Sequence, residues 1–298
     1  MNFLFTCLLL FLSTIASAVN PTHELTSNDF KAPPTRNISI GWEMTETLLS
    51  LGITPVGMAD KEGYNSWVTI PKLPVGIEDV GARNEPNLEL LTNLKPDLIL
   101  ISSHLAPALK KLGNIAPTMI YDVYSDTKTP YKNAQELTLK LGEILGKKQE
   151  AKNIINTTQT LLKKNGALIR AANPNMNPLM FVRFIDNSTL HFEGSGSLIQ
   201  DTVNEMGLHN EWQNKTNFWG FSTVELAKIA EHQQANIVLL QSINKSELDK
   251  FLSSPLWQAM AFTRQNKVYQ LPPVWNYGGL LAVGRLSNQL INMLAPQQ

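Results

Sequence analysis

The chain has 298 residues, of which 43% are hydrophobic and 17% charged, and its 25 basic residues balance its 25 acidic residues. This composition is ordinary for a globular protein of one large or two medium domains. With a net charge of zero and no run of Lys or Arg, the sequence disfavours nucleic-acid binding.

The first segment, residues 1–18, is uncharged, contains an apolar run over residues 3–12 and ends in Ala-Ser-Ala. It predicts a secretory signal peptide cleaved after Ala18, because the run is too short to span a membrane and a small-x-small site follows it. The single cysteine, Cys7, lies inside this segment, so we expect a mature chain without disulfides or thiolate chemistry. A soluble exported protein of this kind suits a bacterial periplasm.

Residues 19–36 are polar and contain proline, which predicts an N-terminal arm. Over residues 37–129, short apolar runs alternate with amphipathic segments, and residues 96–102 are the clearest strand. Because strand and helix alternate with short connections, we expect an N-terminal α/β lobe with a parallel sheet over residues 37–129.

Residues 130–172 show no strand-like pattern and predict a helical segment. Thr129 and Pro130 have the N-cap and first-position pattern of a helix start. From Lys148 to Ala172, apolar residues recur at helical spacing, and a helix of this length would extend roughly 38 Å at about 1.5 Å per residue. We therefore predict a long linker helix.

Alternation resumes over residues 173–298 and predicts a C-terminal α/β lobe, with Ser197 as the N-cap of one helix. Ser222 and Glu225 have the spacing of a capping box, which predicts a helix starting there. The fold class is therefore α/β, with two parallel-sheet lobes joined by a single long α-helix. We expect the ligand cleft between the lobes, and a nearly fixed cleft because one rigid helix makes a poor hinge.

Patterns typical of enzymes and metal sites are missing from the sequence. The five histidines are scattered singly, no Walker lysine follows the Gly-Ser-Gly-Ser turn, and no Gly-x-Ser-x-Gly elbow occurs. We therefore predict no catalytic residues, no metal ligands, no cofactor and no enzymatic activity. An α/β hydrolase or transferase is the alternative of a different class, and it would need a nucleophile–base pair in the cleft.

Aromatic residues instead recur in segments rich in turn formers, in both halves of the chain. They are Trp42, Trp67, Phe218, Trp219, Trp275 and Tyr277. A single such residue is ordinarily core packing, as we expect of Trp212 and Trp257, but the set predicts a shallow apolar cleft for a bulky ligand. Arg83 lies in a loop bounded by glycine and proline, where its guanidinium either donates to ligand oxygens or forms a surface salt bridge.

Four segments resemble the periplasmic ferric-hydroxamate (ferrichrome-type) siderophore-binding proteins of ABC importers: VGARNEPNLELLTNLKPDLILIS, TNFWGFSTVEL, SSPLWQAMAF and VWNYGG. Part of the first segment, NLELLTNLKPDLI, marks only the wider helical-backbone (class III) substrate-binding family, which includes vitamin B12 and haem binders. TNFWG and PLWQAM with VWNYG are more specific. The resemblance extends from about Ile38 to the end of the chain, and that family's fold agrees with the two lobes predicted above.

The resemblance implies that a ferric siderophore lies in an aromatic cleft and that Arg83 donates hydrogen bonds to its hydroxamate oxygens. It matches Trp219, Trp275 and Tyr277 to the aromatic lining of that family's cleft, and it matches Trp42 and Trp67 less closely. We interpret Phe218 as packing support for Trp219. The family's assisting tyrosine corresponds to Leu105, beside His104, so a donor is lost or replaced there. The resemblance also implies that the siderophore alone coordinates the iron, so that the protein need not supply a metal ligand.

By position, the resemblance assigns docking on an inner-membrane ABC permease to Glu89 and Glu225; the alternative is that both are solvent-facing carboxylates. We expect a monomeric periplasmic carrier. The alternatives of the same class are binders of a catecholate siderophore, haem or vitamin B12. A catecholate complex is strongly anionic and would favour several basic residues, whereas Arg83 alone is evident.

Overall fold

The computed structural model describes residues 25–186, 188–240 and 245–296. The predicted signal peptide, residues 1–18, lies outside the described residues. Among the helices in these ranges, none has both the length and the apolar character needed to cross a membrane.

The first half of the chain contains seven short strands within the described ranges. They are β1 (Asn37–Ser39), β2 (Gly57–Met58), β3 (Glu78–Asp79), β4 (Gly81–Ala82), β5 (Glu85–Pro86), β6 (Leu98–Ile101) and β7 (Thr118–Ile120). Five of them form a sheet in the order β3-β2-β1-β6-β7, with every pair parallel. The predicted parallel sheet is confirmed, and the remaining two strands, β4 and β5, pair as an antiparallel ribbon.

Four helices accompany this sheet: α1 (Trp42–Ser50), α2 (Lys61–Trp67), α3 (Leu88–Asn93) and α4 (Leu109–Gly113). The apolar spacing of residues 45–52 predicts a helix there, whereas α1 already begins at Trp42, and no pattern in the sequence predicts α2. Asp60 caps α2 by accepting a hydrogen bond from the Gly63 amide at 3.0 Å. Trp42 and Trp67 therefore lie at helix ends, and the expectation that both occupy loops is wrong.

Two helices connect the halves, α5 (Pro130–Ile144) and α6 (Lys148–Ala172). The linker helix is confirmed with the predicted bounds. Gly146 adopts a φ of +67° between the two helices, a conformation that glycine takes at a helix C-terminus at little cost. The end of the predicted arm is anchored to the first lobe, because the backbone amides of Thr35 and Arg36 donate to the Asp97 carboxylate at 2.9 and 2.8 Å.

The described residues of the second half form five strands: β8 (Leu179–Phe184), β9 (Thr189–Glu193), β10 (Phe221–Glu225), β11 (Asn236–Leu239) and β12 (Val268–Gln270). Its helices are α7 (Leu198–Glu205), α8 (Lys245–Leu252), α9 (Pro255–Ala259), α10 (Ala261–Arg264) and α11 (Leu280–Leu294). Ser197 caps α7 as predicted, because its hydroxyl accepts from the Gln200 amide at 3.0 Å.

The second sheet corrects two predictions. Its order is β10-β9-β8-β11-β12, and β9 and β10 run antiparallel to their neighbours, so this sheet is mixed rather than parallel. The segment from Ser222 to Glu225 is strand instead of a capped helix start, because it pairs with β9 over residues 221–225. A 3-10 helix, Leu226–His232, follows it.

One apolar core runs through both halves of the molecule. It includes Met44 and Leu100 beside the first sheet, Leu162 in α6, Val238 in the second sheet and Leu286 in α11. The helices α5, α6 and α11 thus each pack one face into a core that both lobes share, and α6 is not the sole connection between the lobes.

Buried polar contacts add to this connection. The Oε2 atom of the Glu46 carboxyl group in α1 accepts from the Gly279 amide at the start of α11, at 3.1 Å. The Arg285 guanidinium in α11 donates to the carbonyl oxygens of Val68 and Ile70 at 2.5 and 2.7 Å. These contacts and the shared core resist relative movement of the lobes, which supports the expectation of a nearly fixed cleft.

Candidate ligand-binding cleft

A cavity of about 570 Å³ opens between the two sheets, and we refer to it as the cleft. Its volume falls in the range typical of small-molecule sites. The first lobe contributes Glu43, Arg83, Ser102, Ser103, His104, Asp122, Val123 and Tyr124, and the second contributes Phe218, Trp219, Phe221, Trp275 and Tyr277. Several of these residues follow the carboxyl ends of β6 and β7, where ligands of parallel α/β sheets bind.

Arg83 lies in the turn between β4 and β5, at the edge of the cleft. Its guanidinium carbon is 3.9 Å from the centroid of the Trp42 ring and 5.8 Å from that of Trp275. Its Nε atom is 3.7 Å from the Asp60 carboxylate, and its side chain remains 37% exposed. Cation–π contact fixes the guanidinium plane, while one distant ion pair leaves most of its N–H donors available to a ligand.

Four aromatic rings form a continuous surface along the cleft, which we call the aromatic wall: Tyr124, Trp219, Trp275 and Tyr277. Tyr124 is central, with its ring centroid 5.6 Å from that of Trp219 and 5.3 Å from that of Tyr277. The Tyr277 centroid is in turn 5.7 Å from Trp219 and 5.2 Å from Trp275. These separations are typical of stabilising aromatic pairs, so the wall is prearranged in the free protein.

The hydroxyl of Tyr124, a residue of the first lobe, binds two backbone groups of the second lobe. It donates to the Asn276 carbonyl oxygen at 2.8 Å and accepts from the Leu198 amide at 2.9 Å. Burial raises the pKa of Tyr124 well above its usual value, and the nearby Glu193 carboxyl acts in the same direction. The hydroxyl therefore stays protonated and keeps its donor role at neutral pH.

Phe218 and Trp219 are large apolar side chains that remain in contact with solvent, with 40% and 47% of their surface exposed. Their rings meet edge to face at 5.1 Å. The Asn217 side-chain oxygen accepts from the amides of Trp219 and Phe221 at 2.9 and 3.2 Å. Such a turn holds both rings at the cleft surface, so apolar area is available for a ligand to cover.

Two carboxyl groups, Glu43 and Asp122, share the cleft with Arg83. Burial raises the pKa of Glu43 to about 7; a hydrogen bond from its own backbone amide and the charge of Arg83 oppose that rise, and Asp122 adds to it. Asp122 is oriented by the Ser103 amide, which donates to its Oδ1 atom at 2.9 Å. The lining thus combines one guanidinium with two carboxyl groups.

A family model described as periplasmic binding protein matches residues 38–274. The chain belongs to the periplasmic binding protein family. The iron(3+)-hydroxamate-binding protein FhuD of Escherichia coli (strain K12) is 34% identical to it over 266 residues, which cover 88% of this chain and 87% of that protein.

Solved structures show the same relationship. The crystal structure of the Fe3+–Desferal-bound siderophore-binding protein FhuD from Vibrio cholerae matches with a TM-score of 0.82 and 26% identity, covering 89% of this chain and 99% of that one. The periplasmic catecholate-siderophore-binding protein VctP, also from Vibrio cholerae, matches with a TM-score of 0.68 at 17% identity over 88% of this chain and 94% of that one. At that identity the similarity concerns the fold.

Three of the predicted contact residues do not line the cleft of this periplasmic binding protein. Trp42 is 2% exposed, donates from Nε1 to the Asp60 carbonyl oxygen at 3.1 Å, and supports Arg83 from below. Trp67 packs behind Trp275, with ring centroids 6.2 Å apart. Leu105 is 5% exposed within an apolar cluster. The expectation of direct contact is corrected for these three residues, because their helical segments turn the side chains inward.

His104 lines the cleft, beside the position that the resemblance assigns to a tyrosine. One ring nitrogen, Nε2, lies 3.1 Å from the Arg83 carbonyl oxygen, and the other, Nδ1, lies 2.6 Å from the Ser102 hydroxyl oxygen. This imidazole therefore ties the Arg83 turn to the end of β6. It lies at the edge of the cleft but does not provide the hydroxyl group that a tyrosine would supply there.

The predicted docking residues lie apart from the cleft lining. Glu89 is exposed in α3 of the first lobe, and Glu225 is exposed at the end of β10 in the second. Glu225 makes no side-chain cap for the 3-10 helix that follows it, so its predicted capping role is wrong. Across the described ranges, no group of three or more His, Cys, Asp or Glu residues is arranged to hold a metal ion.

Proposed function

We propose that this protein captures ferric hydroxamate siderophores in the bacterial periplasm and delivers them to an inner-membrane ABC permease. The observation that carries the proposal is the cleft, in which a prearranged aromatic wall faces the single guanidinium of Arg83. The printed names of its FhuD relatives, an iron(3+)-hydroxamate-binding protein and a Desferal-bound protein, support the same ligand class.

The charge of the lining favours hydroxamate over catecholate complexes. Three hydroxamate groups carry one negative charge each and cancel the charge of Fe(III), whereas three catecholates leave a strongly anionic complex. Arg83 shares the cleft with Glu43 and Asp122, so the lining offers no excess of positive charge to an anion. A neutral or cationic complex avoids the like-charge repulsion that a catecholate complex would meet there.

In the bound state, each part of the cleft has a distinct role. The wall covers the organic backbone of the siderophore and removes apolar area from water. The Arg83 guanidinium donates charge-assisted hydrogen bonds to the hydroxamate oxygens that surround the iron. The siderophore provides every iron ligand, so the protein recognises the surface of the complex.

Titration followed by tryptophan fluorescence tests the proposal, with ferrichrome, ferrioxamine B, coprogen and ferric enterobactin as ligands. We expect at least one hydroxamate to quench the emission with a Kd in the low micromolar range or tighter, about −8 kcal/mol. Gallium complexes of the same siderophores control for quenching by iron itself. Binding of ferric enterobactin without binding of any hydroxamate would reject the proposal in favour of a catecholate carrier.

Delivery to a permease is tested separately. We propose that Glu89 and Glu225 form ion pairs with a basic partner surface, one from each lobe. Replacing both with arginine should leave siderophore affinity unchanged, since neither residue lines the cleft, and should abolish stimulation of the permease ATPase in proteoliposomes. Undiminished stimulation would remove these residues from the docking surface.

A further inference from the structure

Lys128 connects the first lobe to the loop that carries Trp219. It lies between β7 and α5 with a φ of +54°, and its side chain extends to the second lobe. Its ammonium nitrogen is 3.1 Å from the Thr216 carbonyl oxygen, 3.3 Å from the Thr216 hydroxyl and 3.1 Å from the Asn217 carbonyl oxygen. An ammonium group has three N–H donors, and these three acceptors match that number.

The stem of Lys128 is also packed. A Cβ atom built on Gly196 would lie 3.0 to 3.2 Å from three carbon atoms of the lysine side chain. The absence of a side chain at Gly196 therefore gives the lysine a path along the turn that precedes α7. Both the stem and the charged end of Lys128 are thus fixed by the second lobe.

The other anchors of the loop come from the second lobe itself. The Gly194 amide donates to the Gly220 carbonyl oxygen at 2.8 Å, and the Thr216 hydroxyl donates to the Ser195 carbonyl oxygen at 2.5 Å. These bonds hold the two ends of the loop against the turn before α7. Lys128 instead binds the carbonyl groups immediately before Phe218 and Trp219, and it does so from the opposite lobe.

We propose that Lys128 is a positioning residue for ligand binding, which fixes the Thr216–Asn217 backbone from the first lobe and thereby orients Trp219 toward the cleft. This inference rests on the proposed function, because it concerns the same cleft. Hydrogen bonds from a charged donor are stronger than those between neutral groups. Removing the ammonium therefore frees the Thr216–Asn217 backbone beside a ring that is 47% exposed. The remaining restraints on that ring are the Asn217 turn and its contacts with neighbouring aromatic rings.

A double-mutant cycle tests whether Lys128 acts through Trp219. We expect Lys128→Met to weaken binding of the preferred ferric hydroxamate about five- to twentyfold. This is less than the full effect of a charge-assisted hydrogen bond, because Lys128 acts on the ligand only through the position of Trp219. In a Trp219→Ala background, the same substitution should cause no further loss. In a Trp275→Ala background it should keep its full effect. Lys128→Arg should bind more tightly than Lys128→Met, because a cationic donor is retained, although its planar fork does not match the three acceptors as an ammonium does.

A general loss of stability would give a different pattern. It would lower affinity by the same factor in all three backgrounds, and that additive result would overturn the proposal. An affinity of Lys128→Met equal to that of the unchanged protein would overturn it as well.

A second measurement needs no ligand and separates this inference from the proposed function. The chain has six tryptophans, and labelling with 5-fluorotryptophan gives each a fluorine NMR signal. The Trp219 signal is assigned by its loss in Trp219→Ala. We expect Lys128→Met to shift or broaden it while the signal of Trp257, which is 2% exposed in the second lobe, stays unchanged. An unaltered Trp219 signal would overturn the inference, whereas failure of every hydroxamate to bind would overturn only the proposed function.

Discussion

Replacing Arg83 with alanine removes the guanidinium from the edge of the cleft while leaving the fold intact. Its ion pair with Asp60 spans 3.7 Å between side chains that are 37% and 36% exposed, and such exposed pairs contribute little to stability. In the complex, hydrogen bonds from a charged donor contribute about 1.5–3 kcal/mol. That range corresponds to a Kd about 10- to 150-fold higher, at about 1.4 kcal/mol for each factor of ten.

The loss is not explained by a newly uncompensated charge in the cleft. Arg83 lowers the pKa of Glu43, which burial raises to about 7. Without Arg83 that pKa rises further, so the neutral form of Glu43 is favoured and less negative charge is left without a partner. The measured change in Kd therefore reflects the loss of the hydrogen-bond donors of the Arg83 guanidinium.

Two further variants separate charge from geometry. Arg83→Lys keeps the charge and loses the planar fork, so its affinity should fall between those of the alanine variant and the unchanged protein. Asp60→Asn removes the ion pair and leaves the stack on Trp42, so its affinity should change by less than about threefold. Isothermal titration calorimetry gives the Kd and the stoichiometry. A Kd for Arg83→Ala within twofold of the unchanged protein would show that the guanidinium does not contact the ligand.

Three other predictions concern pH, backbone and charge. Burial raises the pKa of Glu46 from 4.5 to about 8, so between these pH values the folded state holds a proton that the unfolded chain has released. The contribution of Glu46 to the free energy of unfolding is therefore complete below pH 4.5 and is lost as the pH rises through about 8. Denaturant unfolding at several pH values should show this decline, and Glu46→Gln should remove its share of it. Gly220 has a φ of +79°, and an added Cβ would overlap the Ser197 amide nitrogen. Gly220→Ala should therefore lower the free energy of unfolding, measured by thermal denaturation, by at least about 1–2 kcal/mol. Gly113→Ala is the neutral control, because the space around Gly113 is open. Asp122→Asn should reduce the preference for ferrioxamine B, which carries an ammonium group, over its neutral N-acetylated form by about fivefold, and an unchanged preference would remove Asp122 from charge recognition.

The sequence predicts the regular parts of this fold well where the signal is local. The linker helix α6 has the bounds expected from its spacing, because apolar residues such as Leu162 and Ile169 recur at helical spacing along its buried face. Ser222 and Glu225 show the limit of such reasoning. Their local pattern is that of a capping box, but antiparallel pairing with β9 over residues 221–225 determines the conformation, and a pairing partner some thirty residues away leaves no mark on the local pattern.

The residues of the cleft are predicted only in part, because a local pattern indicates a turn but not which side chains of that turn remain exposed. Arg83, Trp219 and Tyr277 lie at the cleft, where turn-rich segments carrying long side chains were expected. Trp42 has the same local surroundings but is buried, since exposure depends on how α1 packs. Tyr124 was missed because its segment reads as a continuation of β7. Its position directly after a buried strand was the available signal, since the carboxyl ends of parallel strands meet at one edge.

The apolar core shared by the two lobes affects how the protein competes for its partner. The lobes are joined through α5, α6 and α11 and by buried contacts such as that between Glu46 and Gly279. A partner that docks on both lobes therefore meets nearly the same outline on an empty carrier and on a loaded one. A partner distinguishes two states only by a difference in binding free energy between them. Empty carriers should then occupy the same docking sites as loaded ones, so that excess unloaded protein slows delivery.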